Sequence, residues 1–139
     1  MYREVKYDVM NYRTLLFPEN SLFLITGGAG FIGSNLVEAL LSMGHRVRVL
    51  DNLSTGYAKN IAGFRENPKF EFIEGDIRDA ALCNRVCEDV DYVLHHAAAV
   101  SVPESIEKLV DYTLTNIVGT VNMMEAAAKN GVILWYVLQ

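Results

Sequence analysis

The chain has 139 residues, 51% apolar and 21% charged, the make-up of an ordinary globular domain with enough chain for one core. Lys and Arg number 12 against 17 Asp and Glu, a formal charge of −5; the bases are scattered, which argues against the massed basic face of a nucleic-acid binder. No apolar run approaches the ~20 residues of a bilayer span, and the opening Met1-Tyr-Arg-Glu lacks the apolar stretch of a signal peptide. The expectation is a cytoplasmic chain without membrane or nucleic-acid partners.

Residues 1–20 are polar and aromatic, without a strong period, and close on Pro18-Glu-Asn20. They read as an N-terminal extension, with the main domain over 21–139. Leu22–Thr26 is a continuous apolar run, as in a strand buried on both faces. Phe31–Met43 places Phe31, Ile32, Leu36, Val37, Leu40 and Leu41 on one helical stripe, with Gly44 as its stop. Arg46–Asp51 and Lys69–Glu74 read as the second and third strands. Asp79–Glu88 reads as a helix capped by Asp79, and Asp91–His95 as the fourth strand. Ser105–Asn130 has helical period, with Met123, Met124 and Ala126–Ala128 expected in the core and Gly131 as the stop. Val132–Leu138 reads as the fifth strand.

Strands alternating with helices predict crossover connections, hence a Rossmann-like doubly wound parallel sheet in a three-layer α/β/α sandwich. Ligands of such sheets bind beyond the carboxyl ends of the strands, where strand order reverses. Cys83 and Cys87 form no Cys-x-x-Cys and have no partners at metal-ligand spacing, so they read as small apolar thiols and no metal site is expected.

The sharpest motif is Thr26-Gly-Gly-Ala-Gly-Phe-Ile-Gly33. It follows the first strand and opens the first helix. A helix N-terminus offers unpaired N–H groups and partial positive charge, so it suits a diphosphate. Gly27 suits the tight turn, Gly30 lets the backbone approach the anion, and Gly33 lets helix pack on strand. Two spacings overlap, Gly28-x-Gly-x-x-Gly33 and Gly27-x-x-Gly-x-x-Gly33, and no Gly-Lys-Ser/Thr follows, which disfavours a nucleoside-triphosphate loop. Asp51 ends the second strand 18 residues after Gly33, where a carboxylate can accept from both adenosine ribose hydroxyls. Its charge would repel a 2′-phosphate, so NAD is preferred to NADP. Arg46 and Arg48 lie inside the strand, poorly placed to reverse that preference.

Five ordered segments resemble the extended short-chain dehydrogenases, the NAD-dependent nucleotide-sugar epimerases and dehydratases. They are the glycine loop, Asp51-Asn-Leu-Ser-Thr-Gly56, Glu74-Gly-Asp-Ile-Arg-Asp79, His95-His-Ala-Ala-Ala99 and Asn116-Ile-Val-Gly-Thr120. The resemblance covers about residues 21–131. It implies a cofactor-contacting set of Gly27, Gly30, Phe31, Ile32 and Gly33; of Asp51, Asn52, Ser54, Thr55 and Gly56 around the adenosine ribose; and of Asp76 and Ile77 at adenine. It adds His96, Ala97 and Ala98 beside the nicotinamide, and Asn116 near the reacting centre. Ser101, Val102 and Ser105 match a loop beside the sugar. The pieces His-x-Ala-Ala and Ser-Val-Pro-x-Ser look most like a 4-epimerase of UDP-glucose or UDP-N-acetylglucosamine, in which hydride leaves sugar C4 for NAD and returns to the other face. A dehydratase or decarboxylase shares the same half, and a non-catalytic NAD-binding module is the remaining alternative.

His95 and His96 are neighbours on a strand and point to opposite faces, so chelation by both is sterically poor. His95 reads as buried and hydrogen-bonded. The family's chemistry further needs a Ser or Thr and a Tyr-x-x-x-Lys pair after the fifth strand, the ammonium lowering the phenol's pKa so that it takes the sugar's proton. Neither occurs before Gln139, and the tail lacks the family's serines, so no catalytic residue is assigned. Tyr2-Arg-Glu-Val-Lys6 has the spacing but lies before the first strand and is rejected. The expectation is a truncated or frame-altered product lacking most of the uridine and sugar pocket. Its fifth strand and long helix would be under-covered, which favours a homo-oligomer.

Overall fold

The computed structural model describes residues 17–136. Most of the expected extension, including Tyr2 and Lys6, lies outside the described residues. Five strands, β1 (Leu22–Thr26), β2 (Arg46–Asp51), β3 (Phe70–Glu74), β4 (Tyr92–His95) and β5 (Ile133–Tyr136), form one sheet. All neighbours are parallel, in the order β3-β2-β1-β4-β5. The order reverses between β1 and β4, whose carboxyl ends carry the Gly27–Gly33 loop and the His96–Ala99 segment. A ligand crevice belongs there.

Side-chain alternation on the strands builds two cores. From β1, Phe23 and Ile25 join Val47 and Val49 of β2 and pack against Val37 and Leu40 of α1 (Phe31–Ser42). Leu22 and Leu24 point to the other face, where Leu50 and Val93 meet α2 (Ala80–Val86) and a further helix, Thr120–Lys129. Cys83 and Cys87 are both buried in that second core, and burial pushes their thiols up to about 12 and about 11. Protonated thiols of this kind are inert packing.

Helix ends follow the sequence signals. Asp79 caps α2, its carboxylate accepting from Leu82 N at 3.0 Å. Gly44, at φ +86°, closes α1 with bonds from its own N–H to Leu41 O and from His45 N to Leu40 O, the paired closure that a left-handed residue permits.

Ser105–Asn130 keeps its helical period but is divided among several segments, and two other expectations need correction. Helix α3 (Val102–Glu107) stops at Lys108, whose φ −121° and ψ 45° leave helical geometry. Then α4 (Leu109–Thr113) runs through a π-helical turn, Leu114–Gly119, into α5 (Thr120–Lys129). Phe31 and Ile32 do not share the buried stripe of α1: Phe31 is 84% exposed and Ile32 43%. They occupy the first turn, which follows directly on the glycine loop. Met124 and Ala128 face out, while Met123, Ala126 and Ala127 pack on the sheet and α2. Two short 3₁₀ turns, Ala58–Asn60 and Ala62–Phe64, follow β2 without a periodic signal in the sequence.

Met123 is fully buried between the sheet and α2. Met123→Ala leaves a cavity there and is expected to cost about 2–5 kcal/mol. Urea denaturation of the two chains checks this through a lowered midpoint at unchanged slope.

Candidate functional site

The turn after β1 is made by Gly27 at φ +71°. Its N–H donates to Leu50 O at 2.9 Å, tying the loop to the end of β2. A Cβ at Gly27 would stand 2.8 Å from Ala97 N, and one at Gly33 would stand 2.3 Å from Gly27 O. Both positions are therefore closed to any side chain by backbone, which cannot yield. Gly28, to which the sequence reading gave no role, is excluded from substitution by Val49, whose methyls lie 2.6 Å from a Cβ there. Gly30 differs. A Cβ on it would meet only Gly27 O, at 3.2 Å, and would otherwise project into open space.

Gly30 is the N-cap of α1. No side chain caps this helix, and its first turn carries no acid. The leading N–H groups are thus left for an external acceptor.

Asp51 is 8% exposed and turned toward this loop. Its Oδ2 accepts from Ala29 N at 2.9 Å and its Oδ1 from Leu53 N at 2.8 Å. Each oxygen retains a second lone pair for further donors. Arg46 and Arg48 point elsewhere: Arg46 donates to Asn20 O, and Arg48 to Glu71, Val86 O and Glu88 O.

The loop after β2 folds over the glycine loop. Ala29 O accepts from Tyr57 N at 3.1 Å and from Asn60 Nδ2 at 2.8 Å, and Gly56 lies so close to Ala29 that a Cβ would come within 2.9 Å of its carbonyl carbon. Asn60 was missed by sequence reading, since an amide in a short turn carries no periodic signal. Asn52 donates to Asp76 Oδ2 at 3.0 Å and accepts from Ser54 N at 3.0 Å. Ser54 and Thr55 are exposed on the same rim.

Asp76 lies beside them, half-buried, its carboxylate held by the Arg78 guanidinium at 2.7 Å. That hydrogen bond is the chief reason its pKa falls to about 2, helped by the Arg78 N–H and by Asn52 and opposed by partial burial. Ile77 is 4% exposed, its side chain in the core against Gly119. Any contact it makes beyond the protein must come from its backbone.

Beyond β4, Thr26 Oγ1 accepts from His96 N and Ala97 N, each at 3.1 Å. His95 is buried, its Nδ1 2.7 Å from Thr26 Oγ1 and its Nε2 3.1 Å from Thr120 Oγ1. It packs inward, as the strand alternation predicts, while His96 is half-buried on the crevice side with a buried Nδ1 that finds no hydrogen-bond partner among the described residues. Ala98 is exposed. Asn116, on the π turn, accepts from Ala99 N at 2.8 Å and donates to Ala99 O at 2.9 Å, so its amide clamps the segment from the far side.

Ser101 caps α3, and its N–H donates to the Tyr112 hydroxyl at 3.1 Å. Val102 is 72% exposed, and Ser105 donates back to Val102 O at 2.6 Å. These three do not meet the glycine loop's set through any hydrogen bond among the described residues. The described residues also contain no group of three or more His, Cys, Asp or Glu that could hold a metal ion. No described helix is long and apolar enough to cross a membrane.

An uncapped helix mouth, an open Gly30 and an inward carboxylate at a parallel sheet's switch point define a dinucleotide-binding Rossmann domain. Residues 23–138 match the model of the NAD dependent epimerase/dehydratase family, and the chain belongs to that family. It is 43% identical over 109 residues to a putative UDP-glucose 4-epimerase of Methanocaldococcus jannaschii, covering 78% of this chain and 34% of the relative. It is 44% identical over 110 residues to the UDP-glucose 4-epimerase of Mycolicibacterium smegmatis, covering 78% and 35%. Among solved structures, the dTDP-glucose 4,6-dehydratase DesIV of Streptomyces venezuelae, with NAD bound, superposes with a TM-score of 0.75 at 40% identity, covering 80% of this chain and 37% of that one. The chain thus spans about a third of the length of these curated relatives. NAD is the family's cofactor.

Burial, and secondarily the neighbouring His96, lowers the His95 pKa from 6.5 to about 4. The folded imidazole is neutral where the unfolded one is protonated, so the unfolded state binds more protons between these values. Stability is therefore complete above about pH 6.5 and is lost as pH falls toward about 4, by roughly 3 kcal/mol from this group. Denaturant melts of wild type and His95→Gln between these pH values check the sign: the wild type should lose more stability on acidification than the variant.

Proposed function

We propose that this chain is the NAD-binding portion of a nucleotide-sugar 4-epimerase. The observation that carries the reading is the α1 mouth, uncapped and free of acid, beside the Asp51 carboxylate held on Ala29 N. In this reading the first-turn amides of Phe31, Ile32 and Gly33 receive the diphosphate. Asp51 accepts from the adenosine ribose, and the rim Asn52–Gly56 encloses it. Asp76 and the Ile77 backbone lie at adenine. His96, Ala97 and Ala98 line the nicotinamide side, while Asn116 acts one step removed by holding Ala99. Ser101, Val102 and Ser105 form the wall toward the sugar of a UDP-linked substrate.

When bound, NAD supplies a hydride acceptor at its nicotinamide. This chain's own residues bind, orient and wall off that ring. They hold no proton-transfer pair, because the only Tyr-x-x-x-Lys spacing is Tyr2 to Lys6, ahead of β1. The preference for a 4-epimerase over a dehydratase or decarboxylase is supported by the two epimerase relatives at 43% and 44% identity. The dehydratase neighbour at 40% shares the same cofactor half, so that half is common to both chemistries.

Self-association belongs to the same reading. Val110, Leu114, Ile117, Val121 and Met124 are exposed and recur at alternating steps of four and three along α4, the π turn and α5. Such a seam suits packing against the same helices of a second copy.

Calorimetric titration tests the cofactor reading. NAD is expected to bind the chain, NADP to bind at least about tenfold more weakly because Asp51 repels its 2′-phosphate, and Asp51→Ala to narrow that gap. Equal binding of NADP by the wild type contradicts the assignment of Asp51. The 139-residue chain with NAD and UDP-glucose is expected to form no UDP-galactose; epimerisation would show that a proton-transfer pair has been overlooked.

A further inference from the structure

We propose that Thr26, His95 and Thr120 form a one-way hydrogen-bond relay that positions the backbone of residues 96–99, and that this relay sets affinity for the nicotinamide half of the dinucleotide. The second clause rests on the cofactor reading above. The first rests on counting protons and lone pairs.

A threonine hydroxyl has two lone pairs and one hydrogen. Thr26 Oγ1 accepts from the N–H groups of His96 and Ala97, each at 3.1 Å, the His96 N–H being shared with Thr26 O at 3.1 Å. Only its hydrogen is left for His95 Nδ1, 2.7 Å away. That nitrogen must therefore be an acceptor, and the ring's proton sits on Nε2. Nε2–H then donates to Thr120 Oγ1 at 3.1 Å, and the Thr120 hydroxyl donates to Asn116 O at 2.7 Å. The other tautomer would aim Nδ1–H at an oxygen that already accepts from two N–H groups and would leave the Thr26 hydroxyl hydrogen without that acceptor. The relay has one polarity.

Its two ends hold the two ends of one short segment. Thr26 fixes the N–H groups of His96 and Ala97. Asn116, whose carbonyl terminates the relay, clamps both backbone groups of Ala99. The glycine loop packs directly on this segment, since a Cβ at Gly27 would meet the His96 carbonyl carbon and Ala97 N at 2.8 Å. A shift of the imidazole thus moves the floor on which the cofactor mouth stands. His95 touches no ligand in this arrangement and is a positioning residue. Its deep burial, which keeps the ring neutral, fits a structural relay and rules out an imidazolium donor at neutral pH.

Two measurements on the 139-residue chain test this. Long-range proton–nitrogen correlation spectra of the imidazoles are expected to show His95 protonated at Nε2 and bare at Nδ1; a proton on Nδ1 overturns the relay. Titrations with NAD and with ADP, which lacks the nicotinamide riboside, are run on wild type, His95→Phe, His95→Gln and Thr120→Val. The Phe and Val variants are expected to lose about tenfold in NAD affinity, the worth of one buried hydrogen bond, with ADP affinity held within about twofold. Gln, which can accept at one atom and donate at the other, should recover part of the loss. Unchanged NAD affinity in folded variants, or equal losses for NAD and ADP, overturns the positioning role. Should His95→Phe fail to fold, Thr120→Val, nearly isosteric, decides alone. A wild-type chain that binds neither ligand overturns the dinucleotide reading, and the affinity clause with it, while the tautomer measurement still decides the relay.

Discussion

One carboxylate ties the crevice together. Asp51 is almost fully buried, and a buried carboxylate is tolerated only when its oxygens are met by donors. Its two oxygens take the N–H groups of Ala29 and Leu53, one from the glycine loop and one from the loop after β2. Removing the carboxylate would orphan the buried Ala29 amide, at roughly 1–3 kcal/mol, and free the half-buried Leu53 amide. The acid suited to a ribose is therefore also the pin that brings two loops into register. Tyr57 N and Asn60 Nδ2 add to this by closing on Ala29 O. The mouth of α1 is in this way assembled by the protein's own bonds, and a ligand would find it formed.

The same crevice contains almost no formal positive charge. The glycine loop, residues 51–56 and residues 95–105 contain no Lys or Arg. Arg78, the basic side chain on the rim, is spent on Asp76. An anion here would be met by backbone amides and the helix dipole alone. Such donors are fixed in direction and need no side chain to be ordered on binding. Their arrangement therefore depends on what fixes the backbone: Gly27 and Gly33 on one side, the Thr26 hydroxyl and the Asn116 amide on the other.

Much of this was legible from the residues alone. Buried strands declared themselves as apolar runs, and Gly44 and Gly131 marked helix ends because both take left-handed φ, +86° and +67°. The glycine loop and Asp51 were visible because their spacing is the one that a diphosphate and a ribose would require. What escaped was set by tertiary contact. Phe31 and Ile32 fit the apolar stripe of α1 by period, yet they are exposed and the buried side of the helix is carried by Gly33, Val37 and Leu40. The run Ser105–Asn130 kept helical period through a stop at Lys108 and a π turn, because neither interrupts the apolar spacing. Ile77 was assigned to the site by resemblance, but its side chain fills the gap left by Gly119 and its carbonyl accepts from Cys83 and Asn122. Thr26 and Thr120 gave no periodic signal, for their role follows from which oxygen still has a free lone pair.

The most direct test of the account is where NAD touches the chain. Amide proton–nitrogen correlation spectra recorded through an NAD titration should move the resonances of Phe31, Ile32 and Gly33 at the α1 mouth, together with Ala29 and Leu53 on the Asp51 carboxylate. Saturating shifts confined to other parts of the chain, with these five amides unmoved, would contradict it.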